Sequence, residues 1–197
     1  MLVGGQSRRM GQDKALLSFR GMRPLVADLV AGLGAVCAEV ILVGGEGRRF
    51  EGLLTAARWV PDARPGLGPV AGLLTALLAT GHDRCLVVAC DMPFISAALI
   101  EAMAREPLQG DALVYRHEGG FEPLLGVYSR QCAPRISGML DRGELRAMAL
   151  IEHLRVQELP AAIIERLDPE RTAATNLNTP DAWARARKAE RRGSGHL

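Results

Sequence analysis

Arg84-Cys85-Leu86-Val87-Val88-Ala89-Cys90-Asp91-Met92-Pro93 is the stretch on which the fold turns. From Cys85 to Cys90 it is apolar without alternation, so a strand formed there has both faces covered, as in the centre of a parallel sheet. Pro93 has no N–H to give a ladder and ends the strand, which leaves Asp91 at its carboxyl end. Short apolar runs alternate with amphipathic stretches on either side, the pattern of an α/β protein. Glu39 to Val43 stops at Gly44-Gly45 and reads as a second buried strand. Trp59-Val60 reads as a short third before the Pro/Gly loop from Pro61 to Gly68, and Ala112 to Tyr115 and Pro123 to Tyr128 as later ones. Pro24 to Leu33, Pro69 to Thr80 and Ser96 to Arg105 read as helices, the last capped by Ser96. Pro180 to Arg192 reads as a final helix, capped by Thr179 and with Pro180 in its first turn.

The 197 residues suit one domain, and a hydrophobic fraction of 48% excludes a disordered chain. Lys plus Arg is 24 against 22 Asp plus Glu, a net charge of +2, whereas a nucleic-acid binder carries a larger or more localised basic excess. The basic tail of Arg185, Arg187, Lys188, Arg191 and Arg192 reads as a solvated helix face. Cys37, Cys85, Cys90 and Cys132 form no Cys-x-x-Cys pair and read as buried thiols in a reducing cytosol. No signal peptide is recognisable. The longest uncharged stretch, Pro65 to His82, opens with Gly66, Gly68 and Pro69, leaving about a dozen helical residues against the ~20 of a membrane span. The expectation is a cytoplasmic protein with no nucleic-acid or membrane partner. Met1-Leu2-Val3 is short for a first strand, usually about 5–6 residues, which predicts a natural start several residues upstream.

Four segments carry candidate chemistry. Leu2-Val3-Gly4-Gly5-Gln6-Ser7-Arg8-Arg9-Met10-Gly11-Gln12-Asp13-Lys14 runs an apolar strand into paired glycines and a basic loop. Glycines let the backbone approach a phosphate, and Arg8, Arg9 and Lys14 supply opposing charge. It is not a Walker loop, since no Lys-Ser/Thr follows the last glycine. A basic surface loop is the plain alternative; its place after an apolar strand favours phosphate. Asp91, at the carboxyl end of the best strand, suits Mg²⁺, which takes one or two carboxylates plus water and substrate phosphates; a helix-capping aspartate is the alternative. Asp62 ends the Trp59-Val60 run and would face the same edge. Gly66-Leu67-Gly68-Pro69-Val70-Ala71-Gly72 superficially resembles a dinucleotide fingerprint, but Pro69 interrupts the turn, so close loop-to-helix packing beside a nucleotide pocket is the better account. Asn176 and Asn178, two apart on an extended segment, point the same way and could reach one ligand, but by themselves they read as the turn and cap residues ordinary before a helix.

Gly4-Gly5-x-x-Arg8-Arg9-Met10-Gly11-x-Asp13-Lys14, Gly68-Pro69-Val70-Ala71-Gly72-Leu73, Cys90-Asp91-Met92-Pro93, Glu122-Pro123-Leu124 and Asn176-Leu177-Asn178-Thr179-Pro180 follow one another over nearly the whole chain. Together they resemble the molybdenum cofactor guanylyltransferase family of the nucleotidyltransferase superfamily. The resemblance implies a single-domain, Rossmann-like three-layer αβα sandwich with a mostly parallel central sheet, of the nucleotide-diphospho-sugar transferase type. It implies a mainly GTP-binding half over residues 1–105, a mainly cofactor-binding half over 106–180, and a C-terminal helix and basic tail over 181–197. Leu2, Val3 and Gly4 match the backbone segment that holds the guanine nucleotide, with Gly5 and Arg8 beside them. Lys14 matches a phosphate-contacting lysine, Asp62 an acidic nucleotide-binding position, and Asp91 a nucleotide contact and the magnesium ligand. Val3 stands where the family usually has alanine, and Val43 where some members bind nucleotide through a polar side chain. Asn176 and Asn178 match the cofactor-facing side.

The implied reaction transfers GMP from GTP to the terminal phosphate of molybdopterin with release of pyrophosphate. Magnesium would sit on Asp91, while Lys14 with Arg8 or Arg9 stabilises the pyrophosphate charge. The expected partners are the two small-molecule substrates, with transient contacts to cofactor-biosynthesis proteins or acceptor enzymes. Two alternatives stand. One is a CTP-dependent cytidylyltransferase for the same cofactor, which typically carries Ala-Gly at Gly4-Gly5 and lacks the Gly68-to-Leu73 block. The other is a non-catalytic nucleotide-binding module of the same fold, which would have no need of a metal carboxylate such as Asp91.

Overall fold

The computed structural model describes residues 1–4, 17–19, 23–50, 57–177, 182–184 and 186. Its strands are β1 (Ile41–Val43), β2 (Arg58–Val60), β3 (Arg84–Val88), β4 (Ala112–His117), β5 (Gly120–Ser129) and β6 (Val156–Glu158). Its helices are α1 (Leu25–Gly34), α2 (Pro69–Ala79), α3 (Ala97–Arg105), α4 (Ala133–Asp141), α5 (Ala149–His153) and α6 (Ala161–Leu167). Strands β1 and β2 pair in parallel; β3, β5, β4 and β6 form the second group in that order. Leu2 joins the two groups by parallel bridges to Val43 and Ala89. The sheet therefore runs β2, β1, the N-terminal segment, β3, β5, β4, β6. Strand β5 lies antiparallel to both its neighbours because it follows β4 through a two-residue loop, too short for a crossover.

Alternation along the strands divides the core. Met1, Val3, Leu42, Val88, Leu113 and Tyr115 face α1, α3 and α6 through Val26, Leu29, Ile100, Met103 and Ile164. Leu2, Ile41, Val43, Val87, Ala112 and Val114 face α2, α4 and α5 through Leu73, Leu77, Ile136, Met139 and Leu150. This is the expected αβα sandwich, with one antiparallel strand in a mostly parallel sheet. Ser96 caps α3 as expected, its Oγ accepting from the Leu99 N–H at 3.1 Å. The expected final helix is described only at 182–184 and 186, where Trp183 is buried and meets the Phe19 ring edge-on at 5.6 Å. Among the cysteines Cys132 is buried, its thiol on the Ser129 carbonyl, and burial pushes it up to about 11; Cys37, Cys85 and Cys90 are half-buried rather than buried.

Asp111 fixes the start of β4. Its carboxylate accepts from the Arg155 backbone N–H (2.9 Å), from Arg155 Nε and Nη2 (3.2 and 3.1 Å) and from Arg135 Nη1 (2.5 Å). The Arg155 guanidinium foremost, with Arg135, holds its pKa down at about 2 against an ordinary 3.8. A carboxylate depressed in the folded state contributes stability above its ordinary pKa and loses it as pH falls toward the folded value. Asp111→Asn is therefore expected to cost about 1 kcal/mol near neutrality, after discounting for the solvent around both arginines, and to flatten the loss of stability between pH 4 and 2. Urea unfolding across that range checks it; an unchanged acid limb overturns it.

Met1 lies inside the sheet. Its terminal amine donates to the Ile41 carbonyl at 2.8 Å, and burial lowers its pKa. Beyond it, a cavity of about 260 Å³ continues the line of the N-terminal segment between Glu39–Ile41 and Arg84–Leu86. This cavity lies at the amino end of the sheet, away from the carboxyl edge where parallel strands place ligands.

Candidate functional site

The sheet order brings Gly4, Gly44, Asp62, Asp91, His117 and Glu122 to one edge. Gly4 follows the N-terminal segment, Gly44-Gly45 follow β1, Asp62 follows β2, Asp91 follows β3 and His117 ends β4. Glu122 reaches the same edge from the opposite direction, near the start of antiparallel β5.

The two glycine turns meet backbone to backbone. A Cβ on Gly44 would lie 3.0 Å from Gly4 Cα, and Gly44 holds φ +84, where only glycine is unstrained. Leu2 N–H and C=O are both spent on β3, and Val3 N–H on the Val43 carbonyl. Beyond that ladder lie the Val3 carbonyl and the Gly4 amide. The side chains of Leu2 and Val3 are buried in the two cores, so these positions can meet a ligand only through backbone. Val43 is buried as well, so its side chain does not reach the edge. The Trp59 indole N–H fixes the turn after β1 by donating to the Gly44 carbonyl at 2.8 Å.

Asp62 is held by its own turn. Its Oδ1 accepts from the Arg64 N–H (3.0 Å) and the Thr75 hydroxyl (3.1 Å), which ties β2's carboxyl end to α2. In the following loop Gly66 and Gly68 take φ +85 and +78 before Pro69 opens α2. A Cβ on Gly72 would come within 3.3 Å of Leu2 Cδ2, so Gly72 lets α2 close on the N-terminal segment. Gly66, Gly68 and Pro69 themselves are exposed, so the close packing that the sequence suggested is made by Gly72 within α2 and not by the loop.

At Asp91 three segments converge. The Asp91 carbonyl accepts from the Leu177 N–H at 3.2 Å. Glu122 Oε1 accepts from the Leu124 N–H at 3.1 Å, and the Asn176 amide donates to Oε2 at 3.5 Å. Burial raises the Glu122 pKa, and the charge of Asp91 adds to the effect. A bulge places Glu122 there: Val114 pairs with Gly126 but Tyr115 with Glu122, so Pro123, Leu124 and Leu125 stand on β5 with no partner on β4. Pro123 lacks the N–H a ladder needs, and its carbonyl takes the buried Tyr128 hydroxyl at 2.6 Å. The bulge sends Leu124 to the other neighbour, where its carbonyl accepts from Ala89 N–H at 3.1 Å. Glu122 thus stands beside the end of β3.

Sequence reading singled out Glu122-Pro123-Leu124 as a block but assigned Glu122 no role. The missing information was the direction of β5 and the bulge, of which Pro123 was the visible signal. The structure brings together Asp91 and Asn176, and it places Gly4 and Asp62 on the same edge. Gly5, Arg8, Arg9, Lys14 and Asn178 lie outside the described residues. No cluster of three metal-ligating side chains occurs among the described residues. Asp91 with Glu122 is a donor set of hard oxygens, the kind that suits magnesium when phosphates and water complete the shell.

A family model described as "MobA-like NTP transferase domain" matches residues 1–159. A protein of Pelotomaculum thermopropionicum named probable molybdenum cofactor guanylyltransferase is 37% identical over 187 residues, 95% of this chain and 90% of the relative. Its namesake in Chloroflexus aggregans is 35% identical over 92% of this chain and 88% of its own. The crystal structure of molybdopterin-guanine dinucleotide biosynthesis protein A from Archaeoglobus fulgidus superposes with a TM-score of 0.81 at 28% identity, covering 97% of both chains. A glycine-lined strand edge carrying Asp91, and relatives alike along almost their whole length, place the chain in the MobA-like NTP transferase family.

Proposed function

We propose that this protein transfers GMP from GTP to the terminal phosphate of molybdopterin, releasing pyrophosphate and forming the guanine dinucleotide form of the molybdenum cofactor. The observation that carries this reading is the shared edge, where the side-chain-free junction of Gly4 and Gly44 stands in one row with Asp62, Asp91 and Glu122. The names of the relatives support guanine and molybdopterin as the two substrates.

The backbone of Val3 and Gly4 binds the guanine nucleotide in this reading, since their side chains are absent or buried. Asp62 contributes its carboxylate oxygen Oδ2 on the nucleotide side. Lys14, with Arg8 and Arg9, neutralises the triphosphate and steadies the departing pyrophosphate. A magnesium ion held by Asp91, with Glu122 beside it, would supply positive charge to the phosphate oxygens. Asn176 and Asn178 face the pterin and orient its phosphate for in-line attack. Transfers of this kind depend on positioning and charge stabilisation, so no covalent nucleophile is required. No helix among the described residues is long and apolar enough to cross a membrane, and both substrates are water-soluble, which supports a cytoplasmic site of action.

Pyrophosphate release with molybdopterin and GTP, CTP or ATP, with and without magnesium, tests the proposal. Release with GTP at least tenfold faster than with CTP, and dependent on magnesium, is expected. Preference for CTP would assign the cytidylyl reaction instead, and nucleotide binding without release would leave a binding module.

A further inference from the structure

Between α6 and the site, the chain crosses the molecule as a strap from Asp168 to Leu177. Asp168 is buried, and its carboxylate takes four donors: the Tyr115 hydroxyl (2.5 Å) and Ala173 N–H (2.9 Å) on Oδ2, the Thr172 N–H (2.9 Å) and hydroxyl (3.1 Å) on Oδ1. Burial opposes its ionisation, yet these bonds outweigh burial and hold the acid below its ordinary range. Tyr115 is itself fully buried on β4, the strand next to edge strand β6, so the strap is bolted to the sheet's core face.

Two further features show how tightly the course is set. Arg171 takes φ +52, and it is the only non-glycine residue with a positive φ among those described. Such a conformation is strained and persists where its surroundings over-determine it. Its N–H is held by the Asp168 carbonyl (2.9 Å) and its guanidinium by the Arg116 carbonyl (2.8 Å). At the far end Leu177 is buried, and its N–H reaches the Asp91 carbonyl, while exposed Asn176 turns its amide to Glu122.

We infer that Asp168 and Tyr115 are positioning residues for the transfer: through the strap they set Asn176 against Glu122 and Asp91 on the side that receives the acceptor phosphate. This rests on the function proposed above. On the nucleotide side Gly4, Gly44 and Asp62 have no bond to the strap among the described residues, and Asp91 meets it through its backbone carbonyl. The two substrates should therefore feel its loosening unequally.

The test uses Tyr115→Phe and Thr172→Val, each of which removes one hydroxyl bond to Asp168, and Asp168→Asn as a steeper step. For Tyr115→Phe, kcat/KM for molybdopterin is expected to fall about tenfold and for Asp168→Asn about a hundredfold, with the Kd for GTP within about twofold of wild type. Amide exchange at residues 172–177 is expected to quicken in both, and this reads the strap without turnover. Equal losses toward both substrates, or lowered thermal stability with unchanged acceptor kinetics, would overturn the inference, as would unaltered exchange in Tyr115→Phe. A wild-type preference for CTP would instead overturn the guanylyl reading, and the same acceptor comparison then runs with CTP. Tyr115→Phe keeps the test decisive if Asp168→Asn fails to fold.

Discussion

Replacing Asp91 by asparagine is expected to lower kcat for pyrophosphate release about a thousandfold or more while the protein stays folded. The Asp91 backbone carbonyl receives the Leu177 N–H, and a change of side chain leaves that bond in place. The residue is half-buried at a strand end, outside both cores, so its substitution creates no cavity. What is lost is the negative charge beside Glu122, one of the two carboxylates in the proposed magnesium site. Glu122 alone, turned toward the Leu124 N–H and the Asn176 amide, makes a poor substitute. An interaction made chiefly in the transition state lowers kcat and kcat/KM together, so the GTP affinity should change much less than the rate. Single-turnover pyrophosphate release across a magnesium titration, with circular dichroism as the control for folding, measures both. An Asp91→Asn or Asp91→Ala protein with metal-dependent turnover within tenfold of wild type would remove the mechanism.

Asp91 could be placed from sequence because its signals are local: an unbroken apolar run, a carboxylate, then a proline. The cap at Ser96 and the opening of α2 at Pro69 were legible for the same reason. Elements of five, three and seven residues were not: α5, β6 and α6 span too few turns or alternations for a period to register, and tertiary burial holds them. Glu122 shows a deeper limit. Its place depends on β5 running against its neighbours and on three bulged residues, and both are properties of pairing that no motif in one strand contains. Val43 illustrates the reverse, since one position along the same strand decides whether a side chain meets the edge or the core.

The second large effect is expected at the other end of the sheet. Adding four β-branched residues ahead of Met1 should raise stability by about 3 kcal/mol, or about 6–12 °C in unfolding temperature for a chain of this size. The N-terminal segment is a central strand, with Leu2 bonded toward β3 and Met1 and Val3 bonded to Val43 of β1, yet its amine lies among apolar groups, on the Ile41 carbonyl. The register assigns the next ladder positions to Ile41 on β1 and Glu39 ahead of it, and to Val88 and Leu86 on β3. The Cys85 thiol is the group that meets the Leu86 carbonyl now, at 3.8 Å. The cavity along this line, about 260 Å³ in volume, is walled by Leu33, Val36, Ala76, Leu86 and Val127. At roughly 24 cal/mol per Å³ a cavity of that size bounds the gain at about 6 kcal/mol. Ordering the added residues costs about 1.5 kcal/mol each, which burial of their side chains largely offsets. Relief of the buried amine adds to the balance. It also supplies a signature independent of size. An amine whose pKa is depressed below 8.0 by burial binds fewer protons in the folded state, so stability rises with pH up to that value. The lengthened chain should lack this rise. Thermal unfolding from pH 6 to 9, with a Gly-Ser extension as the control for length alone, measures both effects. Equal unfolding temperatures for the two extensions, or a pH rise that survives in the β-branched one, would mean that the slot does not take a strand.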